Sequence, residues 1–233
     1  RLLMCCPTTS GAAAVVVASA EVARGTRKPI RIVATLVGGS GDFVARLIAE
    51  GISGRLGQPI IVDNRPTNLI GEIVSKAQPD GHTLLVSSNI PWIAPMLQKT
   101  PFQMEDFAPI TMVDKSPLIL VVHPSVAANS VKELIALAKS KPGVLNYSSG
   151  PMGGPSHLAP ELFKSMAGVN IVRIGYAGGG LMMTAVLAGE VQLYFTSPTA
   201  GMAQIKAGKL KALGITSSEP SALTPGIPPI AAA

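Results

Sequence analysis

The stretch "RIVATLVGGSGDFVARLIAE", Arg31 to Glu50, runs an apolar segment into a glycine-rich turn and then into an amphipathic helical pattern. Strand, tight turn and helix in that order open a β–α–β unit, so the stretch predicts an α/β fold on a mainly parallel sheet. Gly39 and Gly41 form G-x-G, and "PIIVDN" ends a second strand-like run with Asp63, 22 residues past Gly41. That is the layout of a dinucleotide-binding unit. Such a turn also needs a third small residue for close helix packing, and Val44 stands there instead. Asp42 in the first helical turn would repel a pyrophosphate, whereas as a cap it satisfies free amides. An NAD-type oxidoreductase using Gly39, Gly41 and Asp63 is therefore the alternative. The leading expectation is that backbone amides of Gly38 to Gly41 face a smaller anion.

Working outward, strands are expected at 30–37, 59–63, 83–88, 109–113 and 117–122, with helices at 42–56, 71–77 and about 92–98. A second set begins after "HPS". There Ser130 and Glu133 form a capping box that opens the helix "VKELIALAKS". Strands follow at 144–147, 170–175, 191–196 and 210–216, with helices near 157–167, 180–188 and 199–207. Two α/β lobes result: residues 28–123 plus 217–233, and residues 124–216.

Composition narrows the function. Only 14% of the 233 residues are charged, the net charge of +6 is scattered, and aromatics make up 4%. There is no basic patch with stacking rings, which argues against a nucleic-acid partner. The first twenty residues, "RLLMCCPTTSGAAAVVVASA", hold one charge, an apolar stretch and the small-residue pattern Ala18-Ser19-Ala20. This reads as an export signal cleaved near Ala20, which places the mature chain in the periplasm and removes both cysteines, Cys5 and Cys6. Without cysteine the mature chain has no disulfide and no thiolate site.

Two further loops repeat the strand–glycine–helix device. "LNYSSGPMGGPSHLAPELF" leads through Ser148, Ser149 and Gly150 to a helix beginning near Ser156, and "IVRIGYAGGGLMMTAVL" leads through Tyr176, Ala177 and Gly178 into another. One such turn is ordinary; three suggest loops gathered at the carboxyl ends of strands, where open α/β sheets bind ligands. Catalytic groupings are missing. His82, His123 and His157 form no metal-ligand spacing, Ser149 and Ser156 precede His157 without a nucleophile elbow, and Glu105 with Asp106 lacks a third ligand. The chain is expected to be neither an enzyme nor the holder of a metal or cofactor.

The segments "KPIRIV", "GGSGDFVARLIAEGISGRLGQPIIVDNRP", "AQPDGHTLLVSSN", "DFAPITMV", "LVVHPSVAANSVKELIALAKSKPGVLNYSSG", "HLAPELFKSMAG" and "QIKAGKLKALGITS" follow one another in an order that resembles the Bug (TctC-type) receptors of tripartite tricarboxylate transporters. The resemblance implies a two-lobed type II periplasmic-binding-protein fold. It also implies a monomer that closes on a small carboxylate or related amide, held by amides, hydroxyls and waters, for delivery to membrane transporter subunits. The contacts it suggests are Gly39, Ser40, Asn89, Ser148, Ser149, Ser156, Tyr176, Ala177, Gly178, Thr196 and Ser197. There are departures: Ala34-Thr35-Leu36-Val37 leads into the first loop, Thr67-Asn68-Leu69-Ile70 shortens a glycine-rich stretch, and Pro160 falls early in a helix. The family also continues past "TPGIPPIAAA" with a segment returning to the first lobe, so the first lobe is expected to be incomplete.

Overall fold

The computed structural model describes Ala13–Ala14 and residues 28–232. The expected export signal and its cleavage motif therefore lie outside the described residues, apart from those two alanines. The chain divides into two compact units, residues 1–115 and 116–233.

In the first unit, strands β1 (Ala13–Ala14), β2 (Ile30–Ala34), β3 (Ile60–Asn64) and β4 (Thr83–Ser87) lie in the order β1-β4-β2-β3. β2 runs parallel to both β3 and β4, and β1 pairs antiparallel with β4. Helices α1 (Ser40–Leu56), α2 (Ile70–Ser75) and α3 (Ile90–Leu97) cover the two faces. Ile30, Ile32 and Ala34 join Leu84 and Val86 against Ala45, Val44 and Ile48 of α1. Val33 and Leu85 face the other way, toward Ile70, Val74, Trp92, Phe102 and Phe107. Burial on both faces is why β2 and β4 read as nearly unbroken apolar runs. α1 leaves β2 on one face and α3 leaves adjacent β4 on the other, so the crevice beyond these two strand ends is a topological switch point.

The second unit follows the same rule with a mixed sheet. Strands β5 (Ile119–Val122), β6 (Asn146–Ser149), β7 (Val172–Gly175), β8 (Leu193–Thr196) and β9 (Lys211–Ile215) lie in the order β7-β6-β8-β5-β9. β6 is parallel to β7 and β8, while β5 runs antiparallel to β8 and β9. Helices α4 (Val131–Ser140) and α5 (Pro155–Ala167) pack Val131, Leu134, Ala138 and Phe163 on Leu120, Tyr147, Leu193 and Phe195. Helices α6 (Gly179–Leu187) and α7 (Pro198–Lys206) pack Met182, Ala185, Val186, Met202 and Ile205 on the opposite face, against Val121, Tyr194 and Ile215. Neighbouring β6 and β8 thus send α5 and α7 to opposite faces, and their ends form this unit's switch point.

Several sequence expectations shift. Residues 109–113 form single bridges at Pro109 and Thr111 but no strand: Pro109 has no N–H to extend a ladder, and Ile110 and Val113 pack singly on the first unit's two cores. The division falls at Lys115, not His123, because β5 is an inner strand of the second sheet. The tail expected in the first lobe packs on the second unit, where Pro229 bridges Ile215, Ile227 is buried and Ile230 lies against Gly214. Pro160 stands in the second turn of α5, since that helix begins at Pro155. Only half of the capping box forms as expected: Ser130 Oγ accepts from Glu133 N at 3.1 Å, but Glu133 accepts from Asn129 N.

Candidate ligand-binding site

The first glycine loop is organised by side chains. Asp42 is buried at the start of α1, where its carboxylate accepts from Asn64 Nδ2 at 2.8 Å, Arg46 Nε at 2.9 Å and Gly38 N at 3.2 Å. Burial pushes its pKa up, but the hydrogen bonds from Asn64, Arg46 and Gly38 outweigh that and hold the carboxyl below its ordinary value. Asn64 Nδ2 also donates to the Thr35 carbonyl at 2.7 Å, tying the loop to β3. Glycine is required at two positions here. Gly38 has φ of 87°, and a Cβ on Gly41 would stand 2.9 Å from Thr35 Oγ1. Gly39 at φ −90° would accept a side chain.

Asp63, which the dinucleotide alternative needs for a ribose, is occupied. It pairs with Arg31, whose Nε lies 2.7 Å away, and with Arg65 Nε at 2.8 Å. Gly39 and Ser40 open α1, two residues before the expected helix start at 42, and Asn89 precedes α3. Asn89 Oδ1 is buried with no hydrogen-bond partner among the described residues, and so is Ser87 Oγ two residues earlier. Ser87 was missed in the sequence. The polar run "SSN" directly after the apolar "TLLV" was the available signal.

In the second unit the loop after β6 turns its amides inward. Gly150 N donates to Ser156 Oγ at 3.0 Å, Gly153 N to His157 Nδ1 at 3.2 Å, and Gly154 N to the Pro151 carbonyl at 3.1 Å. Pro155 has no N–H, and the amides of His157 and Leu158 both go to the Gly154 carbonyl. What this loop can offer a ligand is the Ser156 N–H, which has no acceptor within the helix, and the Ser156 hydroxyl proton, whose oxygen already accepts from Gly150. Ser149 is fully committed: its oxygen accepts from Arg173 Nε at 3.0 Å and its proton goes to the Gly150 carbonyl at 3.1 Å. Ser148 differs, for its hydroxyl is completely buried and has no partner among the described residues. Burial and the neighbouring Arg173 lower the pKa of His157, favouring the neutral ring, and the Gly153 N–H that points at Nδ1 selects the tautomer in which that nitrogen accepts.

The loop after β7 is built by backbone alone. Tyr176 N donates to the Ser149 carbonyl at 2.8 Å, which holds this loop beside the previous one. Gly178, extended at φ −171°, leads into α6 with no side-chain cap and no acid in the first turn. The amides of Gly179, Gly180 and Leu181 have no acceptor within the helix. Ala177 is exposed beside them. Thr196 and Ser197 end β8 next to β6, where Ser148 pairs with Tyr194. Thr196 is buried, and Ser197 Oγ lies 3.0 Å from Thr199 Oγ1. The second unit therefore brings together Ser148, Ser149, Ser156, Tyr176, Ala177, Gly178, Thr196 and Ser197 at the carboxyl end of its sheet. The first unit brings Gly39, Ser40 and Asn89 to its own. Among the described residues no group of three or more His, Cys, Asp or Glu could hold a metal ion.

The chain is similar to known proteins across most of its length. It is 36% identical over 198 residues to a UPF0065 protein of Bordetella pertussis, covering 82% of this chain and 61% of that relative. It thus spans about three-fifths of that relative's length. Among solved structures, MatC from Rhodopseudomonas palustris with bound malate matches at TM-score 0.82 and 25% identity, over 88% of this chain and 72% of that one. Rpa4515 of R. palustris with adipate matches at 0.78 and 28%, over 88% and 71%. The profile of the tripartite tricarboxylate transporter family receptor, TctC, matches residues 44–233, and the chain belongs to that family.

Proposed function

We propose that this chain captures a small carboxylate as an extracytoplasmic solute receptor and delivers it to a tripartite tricarboxylate-type transporter. One observation carries the reading: beyond β6, β7 and β8 the second unit gathers hydrogen-bond donors with no acid among them. These are the open amides of Gly179 to Leu181, the Ser156 hydroxyl and the unpartnered Ser148 hydroxyl. Oriented amides at a helix start favour an anion, and hydroxyls complete its hydrogen bonds. Malate and adipate, named with two similar structures, are of that chemical class. The first unit, taken by itself, places Gly39, Ser40 and Asn89, whose buried Oδ1 has no partner among the described residues, at its own switch point.

This arrangement selects charge and size. The dinucleotide alternative is disfavoured, because Asp63 is held by two arginines and the Asp42 carboxylate already takes the Gly38 amide in the loop that would have to bind a pyrophosphate. Titration against malate, adipate, longer and shorter dicarboxylates, and NAD tests the reading. Saturable binding of at least one carboxylate is expected, with a thermal shift equivalent to about 2.7 kcal/mol at a hundred times the Kd. Binding of NAD with no carboxylate bound would overturn it. Export is tested separately: protein recovered from a bacterial envelope should begin at Glu21.

A further inference from the structure

Resting on that reading, we infer that Arg173 is a positioning residue for the carboxylate site, acting through the fork of its guanidinium on the turn after β6. Arg173 lies in the edge strand β7, paired with Tyr147 of β6. Its guanidinium reaches two residues along to the strand end, where Nε donates to Ser149 Oγ at 3.0 Å and Nη2 to the Gly150 carbonyl at 2.8 Å. The same Gly150 donates its N–H to Ser156 Oγ, so the fork, the turn and the ligand-facing hydroxyl are linked in series. An arginine on an edge strand ordinarily finds a carboxylate. Here Glu161, close by on α5, is taken by Tyr147 Oη and Lys164 Nζ. No carboxylate forms an ion pair with Arg173 among the described residues.

The fork geometry is what the turn uses. Two donors held in one plane fix the Ser149 hydroxyl and the Gly150 carbonyl, the groups on either side of the Ser149–Gly150 peptide that carries the Gly150 N–H, and so limit how that peptide can turn. A lysine would keep the charge but supply one flexible ammonium.

Arg173→Lys and Arg173→Gln are compared with the unaltered chain. Two measurements are made: affinity for malate and adipate by calorimetry, and hydrogen exchange of the Gly150 amide without ligand. Both variants should bind about tenfold more weakly, as expected for losing charge-assisted hydrogen bonds. Gly150 should exchange about tenfold faster in both, with the amides of Leu120 and Phe195 unchanged as a check on folding. Millimolar ethylguanidine added to Arg173→Ala should restore Gly150 protection. Arg173→Lys that keeps both affinity and Gly150 protection would overturn the inference, because charge alone would then suffice. If the unaltered chain binds no carboxylate the proposed function fails, yet Gly150 exchange still decides the role of Arg173.

Discussion

Two helices of this chain start from glycine-rich turns of similar sequence, and their first turns are chemically opposite. α1 begins with Gly39-Ser40-Gly41-Asp42, and a buried carboxylate, fastened by Asn64, Arg46 and Gly38, organises the turn. α6 begins with Gly178-Gly179-Gly180, with neither acid nor side-chain cap. A strand–glycine–helix pattern therefore does not by itself define an anion site. Asp42 is no cap, contrary to the sequence expectation, since Gly39 holds that position and Asp42 takes the Gly38 amide; the first-turn residues decide instead whether a fixed carboxylate already compensates the positive end of the helix or leaves it to a ligand.

The comparison can be broken most forcefully at Asp42. Asp42→Asn should lower the stability of the first unit by about 3 kcal/mol, because a buried charge and its hydrogen bonds to Arg46 and Gly38 are lost together. Trp92, the only tryptophan and buried in that unit's core, should report the change in urea unfolding. Its pH dependence has a definite sign. A carboxyl held below its ordinary value contributes stability above that value and loses it as pH falls through the folded pKa. The variant should be flat there, while its carboxylate affinity stays within about threefold of the parent.

Gly178→Asp would give α6 the acid that α1 already has. The extended backbone accepts the residue, so folding should be kept and carboxylate affinity should drop about thirtyfold, corresponding to about 2 kcal/mol at a helix start. Unchanged affinity, measured by calorimetry, would remove α6 from the site.

Ser148→Ala tests the unpartnered hydroxyl. Removing a buried, unsatisfied group should stabilise the ligand-free chain by about 1 kcal/mol and weaken ligand binding. A destabilised variant with normal binding would show that Ser148 serves packing.

The smallest effect is expected at His157. Its folded pKa lies below the ordinary value through burial and Arg173, so stability is full above the ordinary value and declines as pH falls through it. His157→Gln should lose that slope in a thermal-unfolding series across mildly acidic pH.

Much of the fold was legible because it rests on local patterns. The apolar run at Ile30 to Ala34, the capping serine at Ser130 and the glycine turns each specify an element without distant help. What was not legible depends on long-range pairing. Nothing local in Ile119 to Val122 says that this strand enters the second sheet reversed, between β8 and β9. Pro109 was a local sign against a strand at 109–113, outweighed in the reading by the apolar residues around it. At the site, the glycine loops marked the strand ends correctly, but the direction of each amide depended on partners far along the chain. Ser149 reads as a ligand hydroxyl until Arg173, 24 residues on, is seen to occupy it. A lone arginine inside "IVRIG" was the only hint.

The most direct test is amide-resolved NMR of the chain titrated with malate and with adipate. The account predicts saturable shifts, for at least one of them, at Gly179, Gly180, Leu181 and Ser156, with a common Kd. Saturable binding that leaves those four amides unmoved, or no binding of any carboxylate in the series, would contradict it.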